Sequence, residues 1–250
     1  MYFGLFDPTM YLLIPAIILA LWAQTKVSST FNKYSKIANA RGLTGSDAAR
    51  MILDKNGLYS VKIQHISGSL TDNFDPRTNV VNLSDATYMS NSIGAIGVAA
   101  HECGHAVQYA TGYTPIRIRN GIFPVVSICS KLSMPIILLG FILTAFGGMA
   151  PLIVDIGIIL YSATVVFQLI TLPVEFNASS RALKTLESYQ MLGSEEIKGA
   201  KKVLSAAAMT YVAAAFSALM TLLRLVLLSS NNNRRDWEYS WIQEIFHCRY

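Results

Sequence analysis

The sequence predicts a mainly α integral membrane protein, with about four transmembrane helices and a small α+β segment between the first and second. Three observations carry this. Charged residues make up only 14% of the 250, against about 25% in soluble globular domains. Hydrophobic residues make up 52%, and mean hydropathy is +0.40, which excludes a disordered chain. The apolar residues also lie in blocks: Pro8 to Thr25 has no charge, Leu132 to Pro173 has only Asp155, and Ala206 to Leu228 has only Arg224. Crossing about 30 Å of hydrocarbon takes roughly 20 helical residues, so the first and third blocks fit one span each and the second fits two.

The first block makes residues 1–25 an N-terminal membrane anchor. A cleaved signal wants a positive leader and a small-residue cleavage site, whereas here only Asp7 precedes the block and no clean A-x-A follows. Residues 26–120 form the mixed segment. Ser28 to Ala40 reads as a helix capped by Ser28 or Ser29 and stopped by Arg41-Gly42. Ser46 caps a second helix, Asp47 to Lys55, which Asn56-Gly57 ends. Ser60 to Ile66 alternates like a strand, Gly68 to Asn79 is turn-rich, and Val80 to Leu83 reads as a second strand, paired with the first or offered as an edge to an extended peptide. Asn91 to Ala110 is a long helix stopped at Thr111-Gly112.

Residues 121–174 form a transmembrane hairpin folded around Gly147-Gly148-Met149-Ala150-Pro151, and 175–205 a further helical segment. Residues 206–230 form an alanine-rich transmembrane or buried helix, whose small side chains allow close packing. Residues 231–250 form a divergent tail, whose Arg234-Arg235 and following aromatics could lie on a membrane surface.

Orientation follows from the basic residues. Gln24 to Lys131 carries 11 of the 20 Lys and Arg, Val174 to Ser205 carries 5, and the hairpin tip none. Both polar segments are therefore expected on the cytoplasmic side of a multi-pass cell-membrane protein. The net charge of +5 is explained by topology, and no basic stripe interleaved with aromatics points to nucleic acid. Cys103, Cys129 and Cys248 have no zinc-binding spacing and are expected to stay reduced.

The chemistry lies in the long helix, at His101-Glu102-Cys103-Gly104-His105. Residues i and i+4 share a helix face, so two imidazoles there can reach one zinc ion. Glu102 flanks that face and is placed to act as general base on a water. With four His and seven Glu in the chain, this H-E-x-x-H arises by chance with a frequency of roughly 0.002. Catalytic zinc takes three protein ligands, so a third lies elsewhere. Glu175 is the favoured candidate, on the same side of the membrane as the motif by the orientation above. Asp155, His65 and His247 are the alternatives. Arg181 is the nearest candidate to steady an oxyanion, with a plain surface arginine as the competing reading.

Four stretches carry a resemblance: Gly68-Ser-Leu-Thr-Asp-Asn-Phe-Asp-Pro-Arg-Thr, Val98-Ala-Ala-His-Glu-Cys-Gly-His-Ala-Val-Gln, Leu172-Pro-Val-Glu-Phe-Asn-Ala-Ser-Ser-Arg-Ala and Ala200-Lys-Lys-Val-Leu. With these the chain, from residue 1 to about 228, resembles the bacterial family of membrane-bound neutral zinc metallopeptidases. More distantly it is similar to gluzincin membrane proteases of the heat-shock and CAAX-prenyl-protease type. The resemblance implies a zincin-like catalytic segment in 26–120, Zn2+ held by His101, His105 and Glu175, and Glu102 as catalytic base. It places Ser179 where the broader group has an Asp that supports the site.

Two functions follow as expectations. The first is a zinc-dependent endopeptidase acting on membrane-associated or misfolded proteins at the cytoplasmic face. The second is a non-enzymatic membrane scaffold or assembly factor retaining a zinc site. The carboxylate of Glu102 favours the first, because a zinc holder has no need of it. The partners expected are a protein or peptide substrate and the lipid bilayer.

Overall fold

The structure, a computed structural model, describes residues 8–145 and 150–247. Most of the hairpin tip expected at 147–151, and the tail side chains expected at a membrane surface, lie outside what is described. A short 3-10 turn, Pro8–Leu12, leads into helix α1, Leu13–Tyr34. Then come α2 (Gly45–Lys55), β1 (Lys62–Ile66), β2 (Asn73–Asp75), β3 (Val80–Ser84) and α3 (Ile93–Ala110). The chain closes with α4 (Thr114–Ala145), α5 (Ala150–Ser188) and α6 (Ser194–His247). Four stretches among the described residues are long and apolar enough to cross a membrane: Pro8–Tyr34, Thr114–Leu143, Leu152–Ser188 and Ser194–Ser230. The protein is a mainly α, multi-pass membrane protein with a small sheet.

The chain divides into two compact units. One comprises Met1–Leu19, Gly121–Leu169 and Ala214–Tyr250. It turns large apolar side chains such as Ile18, Phe123, Leu138 and Ile159 outward, as lipid-facing helices do. Small residues set the close approach of α4 and α5: a Cβ on Gly157 would lie 3.0 Å from the backbone N of Ile137, and one on Gly140 2.9 Å from that of Val154. Asp155 belongs to this unit, where its carboxylate accepts a 2.8 Å hydrogen bond from the Ser229 hydroxyl.

The other unit comprises Ala20–Asn120 and Ile170–Ala213, and α3 is its axis. Ile96, Ala99, Ala100 and Cys103 of α3 are wholly buried, together with Ala48, Ile52 and Leu53 of α2, Val81 and Leu83 of β3, and Leu186 of α5. Ser92 caps α3, its hydroxyl accepting from the amide of Ala95 at 3.1 Å. Four of the five alanines of α6 in this unit, Ala200, Ala206, Ala208 and Ala213, are buried, Ala207 is half-buried, and Ala200 meets α3 at Gly97.

Several local expectations are corrected. The helix expected at Ser28 to Ala40 is the end of α1 and stops at Tyr34, because Ala38 leaves the helix to bridge Ser92. The cap of α2 is Thr44 rather than Ser46: the Thr44 hydroxyl accepts from the Asp47 amide at 3.1 Å, and the Asp47 carboxylate accepts from the Thr44 amide at 3.0 Å, a capping box. The sheet has the order β1-β3-β2, with β1 and β3 parallel from Lys62↔Val80 to Ile66↔Ser84, and β2 antiparallel to β3. Val80 to Leu83 is therefore neither half of a hairpin with Ser60 to Ile66 nor a free edge, since both its sides are occupied. The turn-rich run hid β2, a three-residue strand held by Asn82 Nδ2 donating to Asn73 Oδ1 at 2.9 Å and by Asp72, which accepts from the Ser84 amide and hydroxyl.

Candidate metal centre

Helical spacing puts His101 and His105 on one face of α3, their rings edge to face with centroids 4.7 Å apart. The facing surface is α5. Glu175 and Ser179, also four residues apart, point back at the histidines. The two helices meet where α3 has no side chain, since a Cβ on Gly104 would lie 2.7 Å from the Ala178 carbonyl oxygen.

Glu175 Oε2 lies 3.2 Å from His101 Nε2 and 3.4 Å from His105 Nε2. One donor atom from each of the three residues falls within 4.8 Å of the other two, the one such group of three among the described residues. These separations have a physical reading. A tetrahedral ion with bonds of about 2.1 Å spaces its ligands about 3.4 Å apart. Two imidazole nitrogens and a carboxylate oxygen, with both nitrogen–oxygen separations near that value, are a donor set that fits zinc, with one coordination position left over.

The far side of each ligand is also held. His101 Nδ1 lies 3.1 Å from the Ser179 hydroxyl, and His105 Nδ1 lies 3.0 Å from Gln108 Oε1. The Gln108 carbonyl oxygen can only accept, which keeps a proton on His105 Nδ1 and leaves its Nε2 as the lone pair, while the Ser179 hydroxyl holds the His101 ring by its Nδ1 edge. Gln108 is wholly buried, and its amide donates to the Val174 carbonyl at 2.8 Å and to Asn177 Oδ1 at 3.0 Å, tying α3 to α5 beside the site. The second oxygen of Glu175, Oε1, accepts from Arg119 Nη1 at 3.1 Å, and Tyr211 lies against the same carboxylate.

Glu102 is buried beside this group without joining it. Burial raises its carboxyl above the ordinary range, and the neighbouring imidazoles oppose the shift. Cys103 turns the other way: its thiol is wholly buried against the Ala49 carbonyl at 3.6 Å, and burial pushes its pKa up.

Among the described residues, no other sequence candidate joins this group. His65 pairs with Asp85 at 2.7 Å and packs on Tyr88. Asp155 is bonded to Ser229 in the other unit, and the His247 side chain lies outside the described residues. Arg181 Nε is engaged with Asn177 Oδ1 at 2.7 Å, and its guanidinium stacks over Tyr113, 5.8 Å from the ring centre. Sequence reasoning missed Gln108, Arg119 and Tyr211. Gln108 alone had a local signal, standing one helical turn past His105.

Over residues 9–230 the chain matches the family described as "Putative neutral zinc metallopeptidase". It belongs to that family. It is similar to "Putative membrane protease YugP" of Bacillus subtilis (strain 168), with 48% identity over 221 residues, covering 88% of this chain and 96% of that protein. No solved structure matches. The chain is thus a membrane protein of a zinc peptidase family, with zinc as the metal and a protein or peptide as the class of substrate. The His101, His105 and Glu175 group is where this structure offers zinc a place.

Proposed function

We propose that this protein is a membrane-bound zinc endopeptidase in which His101, His105 and Glu175 hold the metal and Glu102 is the catalytic base. The observation that carries the reading is the convergence of both Nε2 atoms on one oxygen of Glu175, at 3.2 and 3.4 Å. Zinc bound there would supply Lewis-acid activation of the scissile carbonyl and of a water. Glu102 takes the proton from the attacking water and passes it to the amine that leaves, so it ends the cycle as it began. Gln108 fixes the tautomer of His105, Ser179 orients the ring of His101, and Arg119 orients Glu175 so that Oε2 faces them.

The substrates we propose are membrane-associated or misfolded proteins, cleaved in extended segments, since a helix hides its carbonyls in its own hydrogen bonds. The active site is assigned to the cytoplasmic side, on the support of the basic residues around it.

The deciding experiment is Glu102→Gln. The amide keeps the shape but cannot accept a proton. The variant should hold as much zinc as wild type and cleave an unfolded casein-like substrate more slowly by at least about a hundredfold. Cleavage at the wild-type rate would exclude this base. A wild-type protein that binds zinc but cleaves nothing would favour a scaffold that has kept its metal.

A further inference from the structure

A second feature lies in the same unit as the metal centre and shares no residue with it. A cavity of about 790 Å³ opens between the end of α1 and the start of α6. Five lysines line it: Lys26 and Lys33 from α1, and Lys198, Lys201 and Lys202 from α6. No acidic residue is in the lining, and among the described residues Lys198 alone of the five lies at ion-pair distance from a carboxylate, that of Glu195 at 2.7 Å. The closeness of the two helices is built in at Gly199, where a Cβ would lie 2.8 Å from the Tyr34 ring.

The lining is graded along both helices. On α1 the order is Trp22, then Lys26, then Lys33. On α6 it is Lys198, Lys201 and Lys202, then Ala206 and Met209. Each helix is part of a candidate span, and each places its apolar lining toward the apolar core of that span and its lysines toward the polar end. Trp22 is half exposed, beside the exposed Leu21, as expected of an aromatic at a membrane interface.

From this we infer that the cavity binds an anionic phospholipid, its phosphate among the five lysines and its acyl chains along Trp22, Ala206 and Met209. The lysines alone would take any phosphate-like anion. The apolar end matches what a lipid has and a free phosphate or an acidic peptide lacks. Cations crowded into one concavity repel each other, and an anionic headgroup relieves that repulsion. A lysine near an anionic membrane surface is worth about fivefold in binding, so several acting together give a marked preference over zwitterionic lipid.

The test uses the full-length protein with Trp237→Phe and Trp241→Phe, which leaves Trp22 as the sole tryptophan. It is reconstituted into phosphatidylcholine vesicles containing brominated phosphatidylglycerol or brominated phosphatidylcholine, and the quenching of Trp22 gives the relative association of each lipid. Phosphatidylglycerol should be favoured about tenfold or more. Lys198→Gln/Lys201→Gln/Lys202→Gln should lower the ratio at least about fivefold, while Lys55→Gln/Lys62→Gln, outside the cavity, should leave it unchanged. Equal quenching by the two lipids would overturn the inference, as would a triple variant that unfolds like wild type and keeps the preference. Displacement of the lipid by 20 mM inorganic phosphate would give the site to a free anion instead, and displacement by a micromolar glutamate-rich peptide would give it to an acidic protein segment.

Discussion

Gly104 and Ala178 bring α3 and α5 together backbone to backbone, with room for 2.7 Å between an added Cβ and the carbonyl oxygen. The contact falls between the residues that carry the two imidazoles and the pair, Glu175 and Ser179, that faces them. Gly104→Ala should therefore push α5 away from the histidines and weaken zinc binding about tenfold or more, read by competition with a chromophoric chelator. Gly97→Ala is the control, because its Cβ would meet Ala200 at an ordinary 3.5 Å. Equal zinc affinity in the two variants would separate the helix contact from the metal site.

Glu175→Ala should release most of the zinc, whereas Asp155→Ala should retain it, since Asp155 bonds Ser229 and is not in the metal group. Elemental analysis of the purified proteins distinguishes them. Zinc content unchanged by Glu175→Ala would refute the ligand assignment.

Ser179 stands where related proteases are expected to carry an aspartate, and here its hydroxyl contacts His101 Nδ1 directly. Ser179→Ala should lower zinc affinity about 10- to 100-fold, the usual effect of losing a group that orients a ligand. Ser179→Asp should hold zinc at least as tightly as wild type. A Ser179→Ala protein with unaltered affinity would show the contact to be incidental.

The capping box on α2 makes a prediction about acid. Asp47 is held below its ordinary pKa first by the Thr44 hydroxyl and then by the Thr44 amide. A depressed folded-state pKa contributes stability above the unfolded value of about 3.9, and that contribution is lost as pH falls through the folded value. Thr44→Ala should cost about 1 kcal/mol near pH 7. The gap to wild type should narrow below about pH 4, followed by denaturant unfolding in detergent at pH 7 and pH 3.5. A gap that widens in acid would contradict the assignment.

Membrane orientation is open to direct labelling. In a cysteine-free background, a cysteine at Ser69 should resist a membrane-impermeant maleimide in sealed cells, and one at Gly148 should react. The reverse pattern would invert the topology and move the site to the outer face.

The sequence made the membrane class plain because apolar blocks are a matter of composition along the chain, and H-E-x-x-H because its partners lie within one helical turn. Glu175 was reachable through topology and resemblance, although 70 residues separate it from His105. Arg119 was not, since its only mark is a contact with Glu175 that the folded chain creates. The sheet failed for a different reason. Asn73–Asp75 is too short for alternation to show, and without it β1 and β3 read as neighbours in a hairpin rather than parallel strands. Helix ends slipped where the cap depended on tertiary contact: Ser28 and Ser29 sit inside α1, and Tyr34 ends it.

The burial of Cys103 has a bearing on redox chemistry. A thiol two residues from a proposed histidine ligand is a soft donor that could compete for a metal if it shared that ligand's helix face. Two residues on a helix are about 200° of rotation, and that turn sends the sulfur to Ala49 on the α2 side. There it is un-ionised and shut away from solvent, the opposite of the exposed thiolate that peroxide and alkylating agents attack. The sulfur of the motif is thereby kept both from oxidants in solvent and from the face that carries the histidine pair.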